Sequence, residues 1–252
     1  MSMATDLARA LDPVALAEPI GMVPDAWQSE VLRSKADRLL LNCCRQSGKS
    51  TTAGLLAMHT AVYEPNSLIL LLSPSMRQSQ ELFRKCLAVY RMLGRPVPAE
   101  SENALSLTLE NGSRLVSLPG TESTIRGYSG VRLLIIDEAS RVPDDLYATA
   151  RPYLAVSDGR LVALSTPHGA RGWWWDAWAN GGNRWERVQI TAEQCPRIGA
   201  TFLEEERAAL GDWLYRQEYL GEFVSTVDSV FSTEYVDAAM SGDVRPLFAR
   251  GA

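Results

Sequence analysis

The chain has 252 residues, 46% of them hydrophobic and 22% charged, which is enough to bury one full core with at most a small appendage. With 25 basic against 30 acidic residues the net charge is −5, so a bulk electrostatic binder of nucleic acid is excluded and only a local basic face remains for that purpose. Four cysteines without paired spacing argue against a disulfide framework and two scattered histidines against a zinc site. The longest aliphatic run, Leu68 to Leu72, is too short to span a membrane, so a soluble intracellular protein with reduced thiols is expected.

Residues 1–22, Ala-rich and broken by Pro13 and Pro19, are expected as a short helix or loose arm. Pro24 suits a first helical turn, and a helix follows to about Ala36. Leu39-Leu40-Leu41 reads as a strand, and a helix is predicted from Lys49 to about Tyr63. Leu68 to Ser73 reads as a buried strand halted by Pro74. Met76 to Leu93 has helical periodicity, with Leu82, Phe83, Leu87, Val89 and Tyr90 toward the core. Residues 94–103 are expected as a loop. Leu105, Leu107 and Leu109 alternate with polar residues, Asn111-Gly112 supplies a turn, and Leu115 to Leu118 returns as a hairpin. Val131 to Asp137 and Arg160 to Ser165 are further apolar strands, and helices are expected over 144–154, 170–179, 201–210 and 212–221. Strands apolar on both faces and separated by helices predict an α/β fold, a mostly parallel sheet covered by helices.

Two motifs carry chemistry. Arg45-Gln46-Ser47-Gly48-Lys49-Ser50 lies between a strand and a helix, as a phosphate loop does. Gly48 lets the backbone approach an oxyanion, and amides from Gln46 to Thr51 at a helix N-terminus form an anion nest. Lys49 supplies a charge for the β- and γ-phosphates, and Ser50 a hydroxyl for Mg²⁺. Cys43 stands where the full pattern has its first glycine. A lysine on an ordinary helix N-terminus is the competing reading, weakened by what lies downstream. Leu133-Leu134-Ile135-Ile136 ends in Asp137-Glu138, two acids at the C-terminal edge of a strand, where such sheets bind ligands. Asp137 is the candidate for Mg²⁺, and Glu138 for the water that attacks the γ-phosphate. Ser165 and Thr166 end a third strand and are placed to sense the γ-phosphate, although Ser-Thr-Pro also simply terminates strands. Trp173, Trp174, Trp175 and Trp178 fit a core or subunit contact better than a base-stacking platform. Arg171, Arg184 and Arg187 nearby are the candidates for DNA phosphates.

Taken together, these motifs resemble the ATPase domain of the large terminase subunit, the motor that packages DNA into tailed-phage capsids. The residues that carry the resemblance are Trp27-Gln28, the arginine-bearing loop Arg45 to Ser50, the acidic pair, Ser165 to Gly169, and the closing Arg216-Gln217-Glu218-Tyr219-Leu220-Gly221-Glu222-Phe223. The resemblance implies an ASCE-type P-loop NTPase with a small helical lid. Its divisions are an arm (1–22), an ATPase core (23–192), a lid (193–225) and a linker (226–252) toward a nuclease domain that is absent, so no DNA cutting is expected. It implies ATP and Mg²⁺ as cofactors. Arg45 would touch the γ-phosphate within its own subunit, and Arg126 would reach the neighbouring subunit's nucleotide; without the resemblance Arg126 reads as a solvated loop charge. Gln28 would read the adenine edge with Trp27 packed nearby, a pair that equally suits an amphipathic helix with a buried Trp. Ser165 and Thr166 match the family's coupling motif. The implied partners are double-stranded DNA, a homo-oligomeric ring (a pentamer), the portal protein and the small terminase subunit, in the cytoplasm of the infected bacterium and with no membrane. A helicase-like or remodelling ATPase is the runner-up, and a nucleotide-gated binding module without turnover is the third reading.

Overall fold

Aliphatic residues at consecutive positions leave a strand no solvent face, so it must be covered on both sides. The computed structural model, which describes residues 3–120 and 127–224, meets that demand with one sheet between two layers. The strands are β1 (Arg38–Cys43), β2 (Leu68–Ser73), β3 (Ala99–Glu102), β4 (Ser106–Leu109), β5 (Arg114–Pro119), β6 (Val131–Asp137), β7 (Arg160–Ser165) and β8 (Glu186–Ile190). Their order is β3-β4-β5-β2-β6-β7-β1-β8. From β5 to β8 every pairing is parallel; β3 and β4 attach antiparallel at one edge.

Alternation sorts the two faces. Leu39, Leu41, Leu71, Ile135 and Val162 join the core beneath α2 (Ala26–Arg33), α3 (Lys49–Tyr63) and α4 (Met76–Met92). Leu40, Leu70, Leu72, Ile136 and Ala163 face the other way, toward α5 (Asp144–Ala150) and the Trp-rich α6 (Gly172–Ala179). Two short helices, α7 (Ala200–Leu210) and α8 (Asp212–Tyr219), follow β8 and add Leu203, Tyr215 and Tyr219 to the first core. Among the described residues no helix is long and apolar enough to cross a membrane.

Several elements depart from expectation. Residues 99–102, expected as loop, form β3; Ala-Glu-Ser-Glu is a mostly exposed edge strand and shows no apolar alternation to read. β8 likewise has no apolar pattern in the sequence, since Glu-Arg-Val-Gln-Ile buries only Ile190 fully. The expected helix 144–154 stops at Ala150 and tightens into a 3₁₀ turn around Pro152. The hairpin forms with Gly112 at φ 81°, where any side chain would strike Asn66. At the N-terminus α1 (Met3–Leu11) lies on the surface, held by Nε2 of His59 against the carbonyls of Arg9 and Ala10 at 3.1 and 3.2 Å. Residues 13–20 are no loose arm: Leu16 and Ala17 are fully buried against α2 and α3.

This burial sets an expectation. Leu16→Ala removes a buried side chain and should cost about 2–5 kcal/mol in chemical denaturation, whereas Leu7→Ala, on the exposed face of α1, should stay within about 0.5 kcal/mol.

Candidate functional site

The loop that leaves β1 reaches α3 through two left-handed residues, Gln46 at φ 60° and Gly48 at φ 92°. Gly48 is required twice over. Its backbone conformation penalises a side chain, and a Cβ there would lie 2.7 Å from Gln28 Nε2. Among the described residues the amides of Gln46, Ser47 and Gly48 make no hydrogen bond, so they stay available where α3 begins, a geometry that suits an oxyanion. Cys43, in place of the usual first glycine, is the buried last residue of β1, and burial pushes its thiol up to about 12. The turn is held without that glycine. The Cys44 amide donates to the Ile190 carbonyl at 2.8 Å, and the Arg45 amide to the Glu218 carbonyl at 3.1 Å. Arg197 donates to the Ser47 carbonyl at 2.9 Å while gripping both oxygens of Asp25.

The acidic pair arrives from two strands away. β7 lies between β1 and β6, and because all three run parallel their C-terminal ends meet at one edge. Ser50 Oγ there donates to Asp137 Oδ2 at 3.5 Å, and Asp137 Oδ1 accepts from the Glu138 amide at 3.0 Å. Glu138 follows the strand in the left-handed region, φ 51° and ψ 42°, an arrangement that costs a non-glycine residue about 1 kcal/mol. Residues 45–51, Lys85, Glu138, Arg141 and Thr166 line a cavity of about 440 Å³. A larger cleft of about 840 Å³, lined by Arg38, Tyr147, Trp173 and Trp185 among others, opens at the opposite edge of the sheet and shares none of these residues.

Not every predicted site residue falls in that cavity. Arg45 lines it, yet its Nε is 2.5 Å from Glu218 Oε2, a buried carboxylate from α8. Gln28 is almost fully buried; its Oε1 accepts from the Asp25 amide as part of the N-terminal cap of α2, and its amide end lies against Gly48. Trp27 packs in the core. Thr166 lines the cavity, but Ser165 is bound instead to Ser140. Arg126 lies outside the described residues. Trp173 and Trp174 are core residues, while Trp175 and Trp178 rest on Phe223 at ring distances of 4.8 and 5.8 Å. Arg187 gives its protons to the carbonyls of Ala177, Trp178, Gly182 and Trp185, so it is a structural clamp. Arg184 lines the larger cleft, and Arg171 meets His168 at 3.2 Å. Lys85, Arg141, Arg197 and Ser140 also stand at this edge, and as isolated polar residues on helices and turns they carry no pattern in the sequence.

A parallel sheet with one strand inserted between the phosphate-loop strand and the acidic strand, and both functional ends at one edge, defines a P-loop NTPase of the ASCE type. The family model for the N-terminal part of the T4-like terminase large subunit matches residues 40–236, and the chain belongs to that family. The large terminase subunit of Thermus virus P23-45 is 29% identical over 251 residues, an alignment covering 85% of this chain and 52% of that one. The chain thus spans about half the length of the curated relatives it matches. In fold it is similar to the ATPase domain of the Thermus phage P74-26 large terminase, with a TM-score of 0.73 and 23% identity, covering 82% of this chain and 96% of the other. The large terminase of bacteriophage D6E in complex with ADP superposes with a TM-score of 0.62 at 13% identity, covering 89% of this chain and 54% of that one.

Asp137 gives the site a measurable signature. Burial, reinforced by Glu138 and opposed by Lys49, pushes its carboxyl up from 3.8 to about 6. The folded state therefore holds this proton more tightly than the unfolded one, and the group's contribution to stability falls as pH rises from about 4 to about 6. In protein free of divalent cations, Asp137→Asn should raise the melting temperature above about pH 6, and the gain should vanish below about pH 4.

Proposed function

We propose that this chain hydrolyses ATP with Mg²⁺ and that hydrolysis drives double-stranded DNA into a viral procapsid. The observation that carries the reading is the meeting of Lys49, Ser50, Asp137 and Glu138 at one edge of the sheet, with Ser50 and Asp137 in hydrogen-bond contact. The residues suit a magnesium nucleotide. The free amides of the loop and Lys49 offer the phosphates an anion site, and a hydroxyl and a carboxylate 3.5 Å apart are hard oxygen donors of the kind Mg²⁺ takes. The bound ion supplies charge neutralisation at the transferring phosphoryl group. Glu138 orients the attacking water and accepts its proton. Arg45, gripped by Glu218, reaches the γ-phosphate when it leaves that partner.

The family supports the remainder. Arg126 acts on a neighbouring subunit's nucleotide within a pentameric ring, α7 and α8 act as a lid, and the portal protein and the small terminase subunit are the partners. The setting is the cytoplasm of the infected bacterium. The complex of the D6E large terminase with ADP supports nucleotide as the ligand.

Phosphate release separates this reading from a binding module without turnover. Glu138→Gln should lower kcat by about 10²-fold or more while affinity for ADP stays within about threefold. Lys49→Ala should abolish both, and addition of duplex DNA should raise the wild-type rate. Wild-type release of phosphate no faster than that of Glu138→Gln, with ADP bound equally well, would establish the module instead.

A further inference from the structure

Between the acidic strand and the Ser165–Gly169 loop lies a contact that the proposed chemistry does not yet use. Ser140, two residues beyond Glu138, directs both its amide and its hydroxyl at Ser165 Oγ, at 3.2 and 2.8 Å. Resting on the ATPase reading above, we propose that Ser140 is a positioning residue for Glu138, acting through Ser165, and that Thr166 is the hydroxyl of this loop that faces the nucleotide.

Glu138 adopts a conformation that its backbone does not favour, so its side chain stays in place only if the turn is held on both sides. On the near side its amide is bound to Asp137 Oδ1 at 3.0 Å. On the far side its carbonyl accepts from the Arg141 amide at 2.9 Å, closing a turn of 3₁₀ helix over Ala139–Arg141. Ser140 is the residue of that turn tied to the sheet. Its anchor, Ser165, is fully buried, ends β7 and stands in register with Asn42 of β1. The turn that carries Glu138 is thereby fastened to the strand that separates it from the phosphate loop.

The same contact divides the work of two adjacent hydroxyls. A serine oxygen has one proton and two lone pairs, and two of those three capacities at Ser165 are taken by Ser140. Ser165 is absent from the cavity lining, where Thr166 is present. The far end of the loop is fixed by Gln217, whose buried Oε1 accepts from the Gly169 amide at 3.2 Å. Thr166 therefore sits between the end of β7, held by its pairing with β1, and the Gly169 amide held by Gln217.

A double-mutant cycle on ATP hydrolysis, run beside ADP binding, tests this. Ser140→Ala and Ser165→Ala should each lower kcat about tenfold with KM for ATP and affinity for ADP within about twofold, because only the placement of Glu138 is disturbed. The double variant should be no worse than either single one, and Ser140→Thr, which keeps the hydroxyl, should recover most of the rate. Thr166→Val combined with Ser140→Ala should instead multiply the two losses. In hydrogen exchange the Ser140 amide should lose about tenfold of its protection in Ser165→Ala, a check that needs no turnover and no nucleotide. Multiplying losses for the Ser140 and Ser165 pair, a loss carried by KM, or unchanged protection of the Ser140 amide would overturn the proposal. Should Ser140→Ala bind no ADP, the cycle is read from Ser140→Thr and Ser165→Ala, where an unrescued rate in Ser140→Thr also overturns it. A wild type that binds ADP but releases no phosphate would fail the ATPase reading itself, leaving the exchange result to decide whether the strut exists.

Discussion

Everything at this site depends on where β7 runs. By lying between β1 and β6, parallel to both, it spaces the phosphate-loop strand from the acidic strand by one strand width and leaves their C-terminal ends on one edge. That spacing lets the first turn of α3 reach across to Asp137, so that Ser50 and the carboxylate touch. It also removes the acid from water: Asp137 is raised toward neutrality because the sheet and helices around it exclude solvent. A buried carboxylate whose side-chain partner is a hydroxyl 3.5 Å away is costly to ionise, and Lys49 offsets only part of that cost.

Around that edge the closing stretch, residues 216–222, acts as a strap. Gln217 holds the Gly169 amide, Glu218 holds both the side chain and the amide of Arg45, and the Gly221 carbonyl accepts from Asn42 Nδ2 at 2.7 Å within the core. Arg216 and Glu222 pair with each other and close the strap on itself. Gln217 and Glu218, polar residues at the end of a helix, are buried here because each finds a partner on a different loop at this edge of the sheet.

Much of this was legible in the residues. Leu-rich strands ending in Gly-Lys-Ser, Asp-Glu and Ser-Thr-Pro announce a parallel sheet with its chemistry at one edge, since period and composition survive in the linear chain. The mostly polar strands β3 and β8 were not, because edge strands are set by backbone pairing and bury little. Ser165 and Thr166 read alike in sequence and differ in space, since Ser140 captures Ser165 at the end of β7 while Thr166, just beyond the strand, lines the cavity. Gln28 shows the same limit. An amide at the third position of a helix suits a cap as well as a purine, and in the folded chain its oxygen serves the cap. Arg197 lies 150 residues from the carbonyl it holds, and nothing in its neighbourhood along the chain points there.

The order of the strands also governs how the molecule can be made. Among the described residues β1 pairs with β7 and β8 alone, so during synthesis the strand that carries the phosphate loop has no such neighbour until Arg160 and then Ile190 have left the ribosome. β2 meets β5 and β6 well before that. The half of the sheet distant from the phosphate loop is therefore free to assemble first. The loop itself waits for Glu218, and a nascent chain stalled short of that residue would lack the contacts that hold Arg45, however much of the sheet had already formed.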